Sequence, residues 1–276
     1  MRKADEMKDV KEITDKLEQG VKDLFASEGY ADYLRFMGKF NNYSANNSLL
    51  IFMQKPDATL VAGYQTWKYK FRRQVRKGET GIVILAPCPR KFIKRRENED
   101  GSVDEEEIKY TTFRAVSVFD ISQTDGDPIP ESPCRVLRDD VEGYEAIIER
   151  LISVSPVRVG FEDIRTGANG YFHRGDERIA IKVGMPQAQT IKTLVHEIAH
   201  AMIHCVCGSE ENADRFTKEV QAESVAFTVC DVLGLDTSDY SFGYIAGWST
   251  GKEAKELAAS VEVIRATAGL ILEGLG

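Results

Sequence analysis

The stretch "TLVHEIAHAMIH", residues 193–204, decides how the second half of this chain is read. His196 and His200 are one helical turn apart, so in a helix both imidazoles leave the same face and can meet one ion. Glu197 stands beside the first histidine, where a carboxylate can act on water held at that ion. The frame around them (Leu194, Val195, Ile198, Ala199, Ala201, Met202) is apolar and uncharged, and no Pro or Gly interrupts a helix that Pro186 and Gln187 begin. The pattern predicts a zinc ion (Zn2+) bound through His196 and His200, with Glu197 as the catalytic base.

Two histidines leave a catalytic zinc site one protein ligand short. His204 stands eight residues after His196, about 80° further round a helix, and nothing bends the chain back to bring it in. The next helical segment, "RFTKEVQAESVAFTVCDVLG" (215–234), offers Glu219 and Glu223 one turn apart. Ala222 and Ala226 flank Glu223 and let two helices approach, which favours Glu223 as the third ligand. Glu219 remains as an alternative ligand, a partner to a ligating histidine, or a solvated carboxylate. The chemistry expected of this set is peptide-bond hydrolysis, in which Glu197 takes a proton from water and hands it to the leaving amine. Residues 178–182 are expected to form a strand that accepts an extended peptide by strand addition. Tyr240 and Tyr244 are candidates to assist an oxyanion, with core packing as the competing reading.

Working outward, a helix is expected over Tyr144–Leu151, short strands around 157–159, 170–173 and 178–182, and helices from there to the end. The Pro-rich stretch "ISQTDGDPIPESPC" (121–134) reads as a linker, so the division expected is 1–133 and 139–276. In front of it, apolar residues at spacings of three and four predict helices through the first 25 residues, over Tyr33–Phe40 and over Leu49–Met53. The last of these is capped by Ser44 or Asn47 and ends near Pro56. A short helix around Trp67, a turn at Gly78 and strands at 82–86 and 110–120 complete the front half, the two strands forming a hairpin with a long, charged, solvated loop. The fold class is α+β: N-terminal helices with a β-hairpin or small sheet, then a mostly helical domain with a small sheet.

At 276 residues, 42% of them hydrophobic, the chain can bury a sizeable core. No apolar run approaches the roughly 18 residues that span a bilayer, and no secretory segment is evident, so a cytoplasmic protein without membrane contact is expected. Its five cysteines are odd in number and form no CxxC pair, which predicts reduced thiols. The net charge of −8 argues against indiscriminate nucleic-acid binding but hides an asymmetry. Residues 68–96 carry eleven cations against Glu79 alone, and 97–107 then carry seven acids and no base. Within the basic run Tyr64, Trp67, Tyr69 and Phe71 alternate with Lys68, Lys70, Arg72 and Arg73, followed by Arg76 and Lys77. Single-stranded DNA binding uses that combination, cations for phosphates and aromatic faces for bases. A core role for Trp67 and Phe71 with a solvated cationic face is the competing reading. The cations at 90–96 are expected to be neutralised by the acids that follow.

Two sets of motifs carry a family resemblance. "YSANNSLLIFMQKPDATLVAGYQTWKYKFRRQVRKGETGIVILAP" together with "VFDISQTDG" resembles the N-terminal domain of ArdC-type antirestriction proteins, also found at the front of plasmid TraC primases. The HEIAH helix with "EVQAESVAFTVCDVLGLDTSDYSFGYIAGW" resembles the joined metallopeptidase domain, related to the ImmA/IrrE zincins. The resemblance implies a single-stranded DNA-binding domain in front, a gluzincin-like HExxH fold behind with Glu223 as third ligand, and an antirestriction role in a mobile element. Gln221 stands where such zincins often carry an acid. A regulatory metallopeptidase acting on a repressor-like protein substrate is the alternative function.

Overall fold

The structure, a computed structural model, describes residues 2–26, 29–40, 42–97, 103–129, 143–205, 213–235, 242 and 245–276. Three helices open the chain: α1 (Arg2–Ala26), α2 (Tyr30–Lys39) and α3 (Ala45–Gln54). Then come β1 (Val61–Gly63), α4 (Tyr64–Tyr69), β2 (Arg73–Val75), the long strands β3 (Ile82–Glu97) and β4 (Val103–Asp120), and β5 (Thr124–Gly126). The second half runs α5 (Tyr144–Val154), β6 (Arg158–Glu162), β7 (Gly170–His173), β8 (Arg178–Lys182), α6 (Gln187–His204), α7 (Arg215–Val232), α8 (Ile245–Ser249) and α9 (Ala254–Leu275). The α+β class read from the sequence is the one observed.

The chain packs as two compact units, Met1–Leu17 with Asp57–Asp127, and Glu18–Pro56 with Pro128–Gly276. Residues 18–56, expected with the front half, therefore cluster with the second; of the linker expected over 121–134, residues 121–126 form a turn and β5, paired with β2, and 130–134 lie outside the described residues. The reason is α7, which buries Val220, Ala222, Val225, Phe227 and Val229 and so needs cover all round. Part of it comes from α2. The Tyr30 hydroxyl meets Ser224 Oγ at 2.9 Å, Arg35 reaches Asp231 at 3.4 Å, and a Cβ on Gly38 would stand 2.9 Å from Val232 Cγ2. Next in the chain, α3 begins on a double cap. Ser44 accepts from Asn47 N–H, as its sequence position suggests, and Glu262 of α9 accepts from Ala45 N–H at 2.7 Å. Tyr33, Leu34, Phe36 and Met37 are buried in this layer, each contributing roughly 1.5–3 kcal/mol.

The sheet of this unit has the order β6-β8-β7, with β8 parallel to β6 and antiparallel to β7. Ile179, Ala180 and Ile181 are fully buried, as expected for a strand covered on both faces. Both edges of β8 are occupied, so the peptide-accepting strand is not Arg178–Lys182 as the sequence suggested; the sheet edge next to α6 is β7. Gly170 lets β7 approach that helix, since a Cβ there would stand 2.7 Å from Thr193 Cγ2.

In the other unit β3 and β4 pair antiparallel over their length, from Ile82 opposite Val118 to Glu97 opposite Val103, and β1 pairs with the base of β4. The long solvated loop expected between the strands is thus mostly strand. Its register sets Lys94, Arg95 and Arg96 opposite Glu106, Glu105 and Asp104, and pairing of opposite charges across strands is favourable. At the base, Asp120 is buried and its carboxylate accepts from the backbone N–H groups of Thr59, Leu60 and Ser122 at 2.8, 3.1 and 2.9 Å. It thereby ties the loop before β1 to the turn after β4. Asp120→Ala leaves three backbone donors without their acceptor and is expected to cost about 2–4 kcal/mol; equilibrium denaturation of the variant, read at both tryptophans, measures it.

Candidate metal centre and nucleic-acid interface

The helix α6 forms where its uninterrupted apolar frame predicts, and it packs against α7; Ala199, Ala222 and Ala226 are all fully buried. This close approach brings side chains of the two helices together. His196 Nε2 and His200 Nε2 stand 3.1 Å apart, and Glu219 Oε2 is 3.6 Å from each. Ligand atoms of His196, His200 and Glu219 all lie within 4.8 Å of one another, the two-nitrogen, one-carboxylate donor set that suits zinc and other divalent metals. Glu223, the expected third ligand, lies elsewhere on the same ring. Its Oε2 is 3.2 Å from His196 Nδ1, with Lys192 Nζ 3.8 Å from its other oxygen. A carboxylate at Nδ1 fixes the imidazole so that the Nε2 lone pair faces outward, the usual support for a ligating histidine.

The electrostatics agree with that geometry. Burial pulls the His196 pKa down, but the carboxylates of Glu219 and Glu223 hold it up, at about 9 overall. Hydrogen bonds from His196 and His200 hold the Glu219 carboxyl well below the usual range. Glu223 is also lowered, its own burial being outweighed by His196 and Lys192. Glu197 is different: 8% exposed, with burial raising its carboxyl pKa against the pull of the two histidines and a backbone hydrogen bond from Phe172 of β7. A carboxylate raised in this way is suited to take up a proton.

The group opens into a cleft of about 660 Å³, with Tyr171 and Phe172 of β7 on one side, and Arg174, Arg215 and Lys218 at its rim. Sequence reading gave no role to those three cations, because only the fold carries them to the histidines. His204 is buried and its Nε2 lies 3.3 Å from the Lys218 carbonyl oxygen. Gln221 points away from the group, donating to Ser260 of α9. Tyr240 and Tyr244 lie outside the described residues.

In the front stretch the structure separates the candidate DNA contacts into two kinds. Tyr64, Lys68, Lys70, Arg72 and Lys77 are exposed. So is Tyr69, at 72%, with Lys68 Nζ 5.3 Å from its ring centre. Trp67, in contrast, is fully buried, donating from Nε1 to the Phe119 carbonyl and packed on Phe71. It has no face for a base, and its proposed stacking role is corrected to a core role. Arg73 and Arg76 are committed within the unit. Arg73 donates to Thr124, Gly126 and Asp127, joining β2 to β5, and Arg76 donates to Glu79, Asp125 and the Ser122 carbonyl.

Known proteins match both the front domain and the whole fold. Residues 5–119 match the family model of the N-terminal domain of anti-restriction factor ArdC. An uncharacterized protein of Bacillus anthracis is 26% identical over 299 aligned residues, covering 94% of this chain and 50% of the relative, so the chain spans about half the length of that protein. The crystal structure of the antirestriction protein ArdC from plasmid R388 in its metal-free form matches with a TM-score of 0.60 at 20% identity, covering 94% of this chain and 97% of that one. Its Mn(II)-bound form matches with a TM-score of 0.58 at 19% identity, covering 94% and 98%. Residues 5–119 thus match the ArdC N-terminal domain, and the chain has the fold of the ArdC antirestriction protein along nearly its whole length.

Proposed function

We propose that this ArdC-type chain is a single-stranded DNA-binding antirestriction protein of a mobile element, whose second unit is a zinc metallopeptidase-like domain. One observation carries the metal part: two imidazole nitrogens and the Glu219 carboxylate converge beside a buried carboxylate, in an open cleft. In this reading His196, His200 and Glu219 hold zinc, Glu223 orients His196 from behind, and Glu197 is the base. The Mn(II)-bound relative of the same fold supports a divalent metal there.

When bound, zinc supplies a Lewis acid that polarises water and a carbonyl. The remaining chemistry belongs to the chain. Glu197, raised by burial, takes a proton from water and delivers it to the leaving amine. The edge of β7 holds an extended peptide by strand addition, because Phe172 of that strand already reaches Glu197. That strand edge is also what favours the second reading, a regulatory peptidase cleaving a repressor-like protein. In the front unit exposed Tyr64 and Tyr69 offer faces to bases, and Lys68, Lys70, Arg72 and Lys77 offer charge to phosphates.

Three measurements test this function. Zinc content after equilibrium dialysis should fall at least tenfold in Glu219→Ala, with a weaker loss of affinity in Glu223→Ala; the reverse order would return the third-ligand role to Glu223. Glu197→Gln should keep both zinc and single-stranded DNA affinity and lose all cleavage of a peptide library read by mass spectrometry. For the wild type, fluorescence anisotropy should show tighter binding to a labelled single strand than to its duplex, weakening steeply from 50 to 200 mM salt. Equal, salt-insensitive binding would remove the DNA-protecting role.

A further inference from the structure

The β3–β4 ribbon presents a second cluster of exposed rings and cations that the basic stretch around α4 does not explain. Beyond its base the ribbon has two strands among the described residues, since β1 pairs with β4 at Val118–Asp120. Phe92 is 48% exposed, Tyr110 47%, Phe113 53% and Ile93 56%. Large apolar side chains exposed together mark a contact surface. Side chains of paired residues share a face, and faces alternate along each strand, so the register sorts these groups into two sets.

One face carries Lys91 opposite Lys109, Ile93 opposite Glu107, and Phe113. Its two lysines share one carboxylate: Glu107 accepts from Lys91 at 3.0 Å and lies 3.7 Å from Lys109. The other face carries Arg114, then Arg90 opposite Tyr110, then Phe92 opposite Ile108. Phe92 and Tyr110 meet edge to face at 6.1 Å, and among the side chains that the structure describes no carboxylate pairs with Arg90 or Arg114. Further out the register sets basic positions opposite acidic ones (94 opposite 106, 96 opposite 104), whereas Arg90 and Arg114 lie opposite no acid. They stand four residues apart in register, roughly 13 Å along the ribbon, with the aromatic pair at the outer end.

We propose that this ribbon face, Arg90, Phe92, Tyr110 and Arg114, is a second binding surface for single-stranded DNA. The two guanidiniums hold phosphates about two nucleotides apart while bases stack on Phe92 and Tyr110. The proposal rests on the DNA-binding reading of the front unit and adds to it a site on a different element. A strand of single-stranded DNA fits the face because its need is for flat apolar cover plus separated positive charge, and stacking on exposed rings is tolerant of sequence.

The test is fluorescence anisotropy of the full-length protein with a labelled 30-nucleotide mixed-sequence single strand, at several salt concentrations. Arg90→Ala with Arg114→Ala should weaken binding about tenfold or more and reduce the slope of log affinity on log salt by about 1.4, the loss of two phosphate contacts. Phe92→Ala with Tyr110→Ala should weaken binding by a similar factor and leave the slope nearly unchanged. On the opposite face, Lys91→Ala with Lys109→Ala, and Phe113→Ala, should stay within about twofold of wild type. Circular dichroism melts confirm that each variant is folded. Equal losses from both faces, or wild-type affinity in both face variants, would overturn the ribbon site while leaving single-strand binding in place. A wild-type protein that fails to bind the strand at low salt would remove both the ribbon site and the function on which it rests.

Discussion

The contact between α6 and α7 is what the rest of the second unit depends on. The two helices pack close enough for the carboxylates of Glu219 and Glu223 to reach the imidazoles of His196 and His200, with Ala199, Ala222 and Ala226 fully buried beside them in sequence. That demand constrains much else. The helix α7 cannot face solvent on its far side, because it buries apolar residues nearly all round, so the chain supplies α2 and α9 as cover. Two polar anchors within the cover, Tyr30 with Ser224 and Gln221 with Ser260, fix its rotation, which in turn fixes where Glu219 and Glu223 point.

The two carboxylates of α7 illustrate why spacing alone could not assign them. Glu219 and Glu223 are one turn apart and both reach His196, but at opposite nitrogens of one ring. Small neighbours argued for Glu223, but Glu223 stands behind the histidine, at Nδ1, and the residue one turn earlier comes round to the shared Nε2 side. Which nitrogen a carboxylate meets depends on the crossing of the helices and on ring orientation, and neither is written in the sequence of either helix.

In the first unit the same cations have different uses. Arg73 and Arg76 hold β2, β5 and the turn after β4 together, and Trp67 is the buried centre beside them. Lys68, Lys70, Arg72 and Lys77 from the same run are left to solvent. Asp120 and Gln123 support that arrangement through a reciprocal cap, which explains why the motif "VFDISQTDG" is so polar at a point where the chain turns back on itself. The ribbon shows a further division. Its outer basic run lies opposite its acidic run, which lowers the net charge of a segment that reads as strongly basic on one strand and strongly acidic on the other.

The sequence by itself determined the elements and the pair of histidines. The apolar frame of residues 194–202 made α6 a helix, a four-residue spacing placed His196 and His200 on one face, Ser44 capped α3, and the strands at 170–173 and 178–182 were legible from their residues. These features are local, set by periodicity and capping within a few residues. Tertiary structure alone decided that residues 18–56 pack with the second unit, that β8 is central and β7 is the edge, that Trp67 is core, and that Glu219 rather than Glu223 faces both Nε2 atoms. Each of those depends on which surface of one element meets which surface of another. That choice is made by burial over the whole unit, and a periodicity confined to one segment carries no information about its partner.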